Sequence, residues 1–404
     1  MGRNGESRLN GTAKTLVEAV AALGTLSCLG FYALCGCGIG SFLKRRRKVL
    51  KSPLPENQPP PVSVLKPLKG IDPEIWESFC SHCEQDYPDY QLIFGVSDAQ
   101  DPAAGEVRRL QEKYPQRQIE LVVCDRDLGT NPKVSNLAQM LPSARHEVLL
   151  VNDSDIRVPP DYVWRVIAPL ADDSVGLVTC LYRAVAGRTL GSRLEALSVS
   201  TDFVPAVLSA RFLEKGLRFG LGSTLAFRRH DLEKIGGFEG LTDYLADDYE
   251  LGRRMAGLGK RVELSEVVVD TFLPAYSLRQ FFAHQMRWAR TIRDARRWGY
   301  VGVLLTFGLP WALALVLAAQ GAAWAWLLFA VTVTARVLVA WFSARVVLGG
   351  GGGMRDFLLL PVRDLMAPLV WAMSFFGDRI SWRGDRLYLK DGKLVGRSRE
   401  AAGR

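Results

Sequence analysis

Residues 62–275 predict an α/β domain built on a mostly parallel sheet, with membrane helices on both its N-terminal and C-terminal sides. Three features lead there. Short apolar runs at 62–65, 91–96, 119–123, 148–151 and 175–181 alternate with helical stretches, the rhythm of parallel strands with helical crossovers. Two of these runs end at once in acid, Ser97-Asp98 and Asn152-Asp153-Ser154-Asp155. The crevice beyond the carboxyl ends of such strands is where ligands bind. Long apolar stretches at 15–42, 300–320 and 322–348 can each span a bilayer.

Composition sets limits. The chain has 404 residues, a net charge of +9 and 48% hydrophobic residues. Its basic residues cluster beside apolar stretches, as in Lys44-Arg45-Arg46-Arg47-Lys48 and 287–297, with no nucleic-acid-binding motif between them. That is the pattern of membrane flanks, and it excludes nucleic acid as the expected partner. Cys80, His82 and Cys83 resemble half a zinc site, but no second pair follows at ligand spacing. Reduced cysteines and a cytosolic catalytic part are expected.

Residues 1–14 are polar and predicted to be disordered. Residues 15–43 form the first membrane helix. A signal peptide is the alternative, but no small-residue cleavage site follows, and the positive cluster comes after the run. The positive-inside rule puts 44–48 in the cytoplasm and the N-terminus outside. A basic, Pro-rich linker fills 44–61. Inside the domain, helices are predicted at 73–83, 103–114 and 161–170. Another starts near Val134, after the loop Gly129-Thr130-Asn131-Pro132-Lys133. Residues 190–215 are apolar with scattered charge, and Pro205 should kink any helix there. A membrane-surface helix and a core helix suit this stretch equally. Asp247-Asp248-Tyr249 opens a helix to about Gly257, where its dipole favours carboxylates. Short strands at 224–228, 261–264 and 267–271 complete the domain.

Residues 276–299 form a basic amphipathic helix whose arginines can reach lipid phosphates; a purely structural interfacial helix is the alternative that suits most of them. The membrane region 300–377 then holds two spans, a glycine loop at 349–353 and the stretch 356–376. That last stretch contains Arg363 and Asp364 and is predicted to be re-entrant or polar-lined. A fourth crossing would carry the basic tail, 378–404, outside.

The chemistry follows from the strand ends. Carboxylates at i and i+2 can direct oxygens at one hard cation, so Asp153 and Asp155 are candidate ligands for Mg²⁺ or Mn²⁺ on a diphosphate. An acidic turn is the plain alternative. A third carboxylate, clear of that pair, would be free to act as general base on an acceptor hydroxyl. A domain tethered to the membrane at both ends suits transfer from a phosphate-bearing donor to a membrane-embedded acceptor.

Several segments, in order, carry a resemblance. They are Val64-Leu65-Lys66-Pro67-Leu68-Lys69-Gly70, Asp98, Gly129-Thr130-Asn131-Pro132-Lys133 with Asn136, Asp153, Asp247-Asp248-Tyr249, Arg287-Trp288 and Ile380-Ser381-Trp382-Arg383. Together they resemble the family 2-type membrane glycosyltransferases. More narrowly, they resemble the ceramide glucosyltransferase family (family 21) and its bacterial hopanoid-biosynthesis-associated relatives. The resemblance implies a GT-A, Rossmann-like fold and inverting transfer from a UDP-sugar to a lipid hydroxyl. It implies Asp98 at the uracil, Asp153 at metal and donor, and Asp248 as catalytic base. Arg287 and Trp288 would close over the diphosphate and the acceptor. Lys66 and Lys133 join the donor side; Asp247, His284 and Gln285 join the acceptor side. His284 stands where animal members carry Gln or Arg, and Gln285 comes one residue late. Asp155 and the runs 176–183 and 284–293 look more like the hopanoid branch. The leading expectation is therefore N-acetylglucosamine, or a related hexose, moved to a hopanoid polyol in a bacterial inner membrane, with a cytoplasmic catalytic domain. Glucose to ceramide is the close alternative. A processive polysaccharide synthase and a non-catalytic scaffold are the remaining classes.

Overall fold

The computed structural model describes residues 3–51, 59–350, 353–382 and 385–395. Most of the Pro-rich linker (52–58), two residues of the glycine loop (351–352), Arg383 of the Ile380-Ser381-Trp382-Arg383 motif and the tail from 396 lie outside the described residues.

Helix α1 (Arg3–Lys51) is continuous over 49 residues. It begins inside the stretch expected to be disordered and runs on through the basic cluster, which corrects both boundaries. Once its apolar turns exist, each further residue adds a hydrogen bond at little cost, so the helix extends at both ends. The domain then alternates through β1 (Val62–Leu68), α2 (Ile75–Cys83), β2 (Tyr90–Val96), α3 (Pro102–Lys113), β3 (Gln118–Val123), α4 (Pro132–Met140) and β4 (Val148–Val151). Next come β5 (Ile156–Arg157), α5 (Tyr162–Ile167), β6 (Val175–Val185), α6 (Leu190–Ser198), a π turn at Val199–Phe203 and α7 (Val204–Glu214). The π turn sits just before Pro205, where the missing N–H would otherwise break the ladder. Strand β7 (Leu225–Arg228), α8 (Arg229–Lys234), α9 (Asp247–Gly257) and β8 (Arg261–Phe272) close the domain. Two strands were expected where β8 runs; residues 265–267 are absorbed as a register shift against β6.

The sheet order is β3-β2-β1-β4-β7-β6-β8-β5. Pairings are parallel from β3 to β4 and between β6 and β8, and antiparallel where β7 and β5 join. Both faces are covered. Val64, Leu92 and Leu150 pack with residues of α2, α3 and α5. Leu65, Ile93 and Leu149 pack with α4 and α7, and with Tyr32, Cys35 and Ile39 of α1. Burial on two faces is why β1 and β4 read as nearly unbroken apolar runs. It also seats the first membrane helix directly on the domain.

Helices α10 (Leu278–Ala295), α11 (Arg297–Gly302), α12 (Gly308–Ala318), α13 (Ala323–Trp341) and α14 (Leu360–Ser374) make the membrane region. The single span expected at 300–320 is bent by 53° between its two halves. Lys14 Nζ donates to Gln320 Oε1 at 2.7 Å near one end of α1, and Arg46 Nη1 to Val347 O at 2.7 Å near the other. So α12 runs against α1, and α13 runs with it. Leu190–Glu214 and Met354–Ser374 are also long and apolar enough to cross a membrane. Both, however, start and finish at the α/β domain. Arg193 pairs with Asp356 at the entrance to α14. Beyond α14, β9 (Arg379–Trp382), β10 (Asp385–Lys390) and β11 (Lys393–Val395) form a small antiparallel sheet that docks back on the domain. There Leu394 N donates to Asp243 O at 2.7 Å, Leu245 N to Gly392 O at 3.2 Å, and Thr130 Oγ1 to Leu394 O at 2.9 Å.

This small sheet was not foreseen, and it changes the role of the α10 arginines. Instead of reaching lipid phosphates, Arg290 donates to the carbonyls of Phe376 and Arg379, and Arg293 to Ser374 O and Asp378. They fasten the returning chain. Asp294 accepts from Gly392 N. Truncation after residue 377 is expected to lower turnover by at least about tenfold, because loops 129–133 and 241–246 lose their support and a small misplacement of reacting groups is costly. Steady-state rates of the truncated and full chains check this.

Candidate active site

The site is assembled at the carboxyl ends of β1 and β4. Lys66, fully buried in β1, donates from Nζ to Asp153 O at 2.9 Å. Burial pulls its pKa down to about 7, against the opposing charges of Asp155, Asp153 and Asp72. Asn152 ends β4 and is buried, donating to Tyr162 Oη and Ser223 O at 2.7 Å each. That anchor projects Asp153 into the cleft. Asn131 caps α4 by accepting from Lys133 N and Val134 N, and donates to Tyr244 O at 2.7 Å. One asparagine thus ties the start of α4 to the loop that precedes α9. Lys133 reaches across to Asp153 Oδ1 at 2.8 Å and Asp247 Oδ2 at 3.3 Å. Burial would depress this lysine, but Asp153, Asp247 and Asp248 hold it well above the ordinary value.

Asp248 completes the group. Its Oδ2 accepts from Gly222 N at 2.7 Å and its Oδ1 from Tyr249 N at 2.7 Å. Burial and the charge of Asp247 raise its pKa to about 6. Asp247 is raised too, chiefly by burial. Asp155 accepts from Thr271 Oγ1; burial and Asp153 raise it to about 6. Gly222 lies at the centre of the cluster. A Cβ there would stand 3.2 Å from Asp153 Oδ2, 3.3 Å from Asp248 Oδ2 and 3.5 Å from Lys133 Nζ. Gly222→Ala is expected to cut turnover roughly tenfold while the fold persists, because it displaces the Asp153 and Asp248 carboxylates. Rates measured beside a melting curve check both halves of that statement.

Four aspartates here face two lysines, and three of the four, Asp155, Asp247 and Asp248, are pushed towards protonation, so the cluster is short of positive charge. Among the described residues, no three His, Cys, Asp or Glu side chains already stand at metal spacing. Carboxylate oxygens short of positive charge are the chemistry a hard divalent cation takes, so Asp153 and Asp155 could supply one or two ligands to such an ion, not a complete set.

The sequence profile of Glycosyl transferase family 21 matches residues 28–395. The chain belongs to this family. It is 26% identical to ceramide glucosyltransferase 3 of Caenorhabditis elegans over 232 residues, 57% of this chain and 50% of that one. It is 35% identical to the ceramide glucosyltransferase of Komagataella phaffii over 101 residues, 24% of this chain and 20% of that one. The chain spans about half the length of the nematode relatives it matches. Among solved structures, a mannosyltransferase from Pyrobaculum calidifontis in complex with GDP-Man and Mn²⁺ aligns with a TM-score of 0.49 and 22% identity, covering 89% of this chain and 96% of that one.

In this family 21 chain the remaining expected residues fall into two places. Asp98 lies exposed at the end of β2, where Oδ1 accepts from Gln100 N at 2.8 Å. It shares the sheet edge with Asp153, and its side chain stabilises a turn there. On α10, His284 Nδ1 lies 2.9 Å from Glu195 Oε1, and Gln285 Nε2 donates to Glu195 Oε2 at 2.9 Å. Trp288 packs edge-on against Phe203 at 5.6 Å. Arg287 lies near enough to Tyr276 for its charge to act on that phenol, as do Glu195, Asp155 and Asp72.

Three residues of the site were not anticipated. Glu195 is buried in α6 between His284 and Gln285. A lone carboxylate in an apolar run was a usable signal for it. Tyr182 of β6 stacks towards Phe203 at 5.2 Å, and burial together with the charges of Asp248, Glu195, Asp153 and Asp155 pushes its phenol up. Nothing in the sequence marks Tyr182 or Gly222, because their importance comes only from what the fold brings beside them.

Proposed function

We propose that this family 21 chain is an inverting hexosyltransferase that moves a sugar from a UDP-sugar to a hydroxyl of a membrane lipid. The observation that carries the reading is the cluster of Asp153, Lys133, Asp247 and Asp248 at the strand ends, beside helices apolar enough for a bilayer. Asp248 takes the proton of the acceptor hydroxyl. Its two oxygens are held by backbone N–H groups of Gly222 and Tyr249, which fixes its direction. The acceptor oxygen then attacks the anomeric carbon, the bond to the diphosphate breaks on the opposite face, and that electron pair leaves with UDP. Asp153, with Asp155, would hold Mg²⁺ or Mn²⁺, which offsets the charge of the leaving diphosphate. Lys133 adds a fixed positive charge on the donor side, and Lys66 braces the Asp153 backbone. Asp98 would face the uracil once donor binding frees it from its turn. Arg287 and Trp288 would close over the diphosphate and the acceptor, with the arginine's charge on the donor side.

Ceramide is the acceptor favoured here, because the relatives above are ceramide glucosyltransferases; this reverses the order reached from the sequence, in which a hopanoid polyol came first. The basic end of α1 pairs with the domain through Arg45 to Glu263 and Glu266. With the positive-inside rule, this supports a cytoplasmic address for the domain as part of the proposal. A bacterial inner-membrane address goes with the hopanoid alternative.

A donor-by-acceptor assay tests the reading. UDP-glucose and UDP-N-acetylglucosamine are offered against ceramide and bacteriohopanetetrol, with Mg²⁺ or Mn²⁺. Glucosylceramide is the expected product. N-acetylglucosaminyl hopanoid would restore the other branch, and a polymer would point to a processive synthase. Absence of metal-dependent UDP release with either donor would sink the transferase itself.

A further inference from the structure

Helix α6 carries a single carboxylate, Glu195, and the fold buries it to 1% exposure. Both of its oxygens are met by consecutive residues of α10. Gln285 Nε2 donates to Oε2 at 2.9 Å, and His284 Nδ1 lies 2.9 Å from Oε1. The approach is prepared where the two helices start. Thr189 Oγ1, capping α6, donates to Tyr276 O at 2.7 Å. A Cβ on Gly191 would stand 2.5 Å from that same carbonyl, so glycine lets α6 lie this close. Ser277 then opens α10 with a capping box. The placement of the two helices is set by these contacts as well as by Glu195.

The His284 ring lies between two aromatic side chains. Tyr276 stacks on it with centroids 5.7 Å apart, and Trp288 tilts against it at 5.7 Å. Tyr276 comes five residues after Thr271, whose hydroxyl donates to Asp155. On the other side, Trp288 meets Phe203 at 5.6 Å, and Phe203 meets Tyr182 at 5.2 Å. Tyr182 follows two residues after Cys180, whose carbonyl accepts from Ser223 Oγ at 3.1 Å. Ser223 adjoins Gly222, whose N–H donates to Asp248. A short run of contacts thus joins His284 to the segments that hold Asp155 and Asp248. The His284 side chain is 18% exposed, and its Nε2 makes no hydrogen bond among the described residues.

An ionised carboxylate can only accept, so its hydrogen bond with His284 puts a proton on Nδ1. In the neutral ring, Nε2 is then a lone pair. A clamp between two helices could be made from any pair of hydrogen-bonding side chains, and a buried carboxylate is a costly choice for one. Its distinctive effect is on the ring. We propose that Glu195 is a positioning residue of the transfer reaction: it keeps the proton of neutral His284 on Nδ1, so that Nε2 accepts a hydrogen bond from a substrate hydroxyl. That hydroxyl belongs to the donor sugar or to the acceptor. An ionised phosphate oxygen has no proton to offer a lone pair, so the diphosphate is not what Nε2 meets. The assignment rests on the transferase reading above.

Nitrogen-15 histidine spectra of the full chain in phosphatidylcholine nanodiscs at pH 8 read the ring directly. The chain has four histidines, and His284→Gln identifies the signal. The wild-type proton should sit on Nδ1. Glu195→Met keeps the length of the side chain but offers no acceptor, so the proton should move to Nε2, the open side. With Mg²⁺ present, the wild-type Nε2 signal should shift with UDP-glucose if the sugar supplies the hydroxyl, or with UDP plus hexanoyl-ceramide if the acceptor does. UDP alone should leave it in place. Glu195→Met should lower kcat/KM for hexanoyl-ceramide roughly tenfold, the weight of one hydrogen bond, but less than about twofold in a His284→Gln background. A structural clamp would lose equally in both. Equal losses, a wild-type proton on Nε2, or an Nε2 signal that moves with UDP alone or with neither mixture would each overturn the proposal. Should Glu195→Met fail to fold, the wild-type spectra decide alone. Transfer by a wild-type chain whose proton sits on Nε2 sinks this inference and spares the transferase. Absence of transfer to any acceptor sinks the transferase and this inference with it.

Discussion

Asp248→Asn is expected to lower single-turnover transfer by roughly 10³-fold or more while UDP still binds, because general-base catalysis is worth up to about four orders of magnitude. The side chain keeps its size, but its single amide oxygen can meet only one of the two backbone donors, Gly222 N and Tyr249 N. The proton acceptor and one of these hydrogen bonds are lost together. The pH profile gives an independent check. With a folded pKa of about 6, the wild-type base is consumed as pH falls through 6, and log(kcat/KM) should then drop with unit slope. In the variant that limb should vanish. Stability should move the other way. A carboxyl whose folded pKa lies above its unfolded value is favoured in its protonated form by folding, so its stabilising share is present at low pH and is lost as pH rises through about 4 to 6. At pH 7.5 the ionised group burdens the fold, so the stability of wild type relative to Asp248→Asn should fall as pH rises from about 4 to 7. Equal rates for the two proteins would remove Asp248 from the chemistry.

Lys133→Met should produce the largest change in stability. Its ammonium lies between Asp153 and Asp247 and holds both. Removing one partner from a buried ion group leaves the others uncompensated, which typically costs about 3–5 kcal/mol. The lower end, about 3 kcal/mol, is expected here because the Asp153 side chain is 39% exposed and water can screen it. Urea unfolding of the two chains without donor or metal measures the difference. Added Mn²⁺ should then stabilise the variant more than the wild type, since the two cations answer the same carboxylates. A variant as stable as wild type would mean that the cluster is solvated and that Lys133 is not its internal counter-ion.

Local pattern carried much of this into view beforehand. Strands β1 and β4 are legible because burial on both faces leaves them nearly continuously apolar, and Asp153 is legible because it stands where such a strand stops. Asp247 and Asp248 are legible as the first turn of α9. Asp98 is legible as an acid at the end of β2, where its side chain accepts from Gln100 N. What stayed out of view is long-range placement. Gly222 matters because Asp153, Asp248 and Lys133 converge on it from three separate stretches. The α10 arginines have a composition that reads as lipid-facing, and the carbonyls they actually meet lie more than eighty residues downstream. The same distance hides the small β9–β11 sheet, whose sequence reads simply as a basic tail.

That small sheet makes the order of biosynthesis part of the enzyme. Residues 385–395 follow every membrane helix among the described residues, yet they support the loops that present Lys133 and Asp248. The α/β domain, although complete in sequence by residue 275, has to wait for them. A ribosome finishes the strands and the acidic cluster first, the membrane then receives its helices, and only the returning segment sets the two loops. Chains stalled before or during insertion would therefore hold the chemistry in an unset form, so activity itself reports that the protein has been threaded through the bilayer.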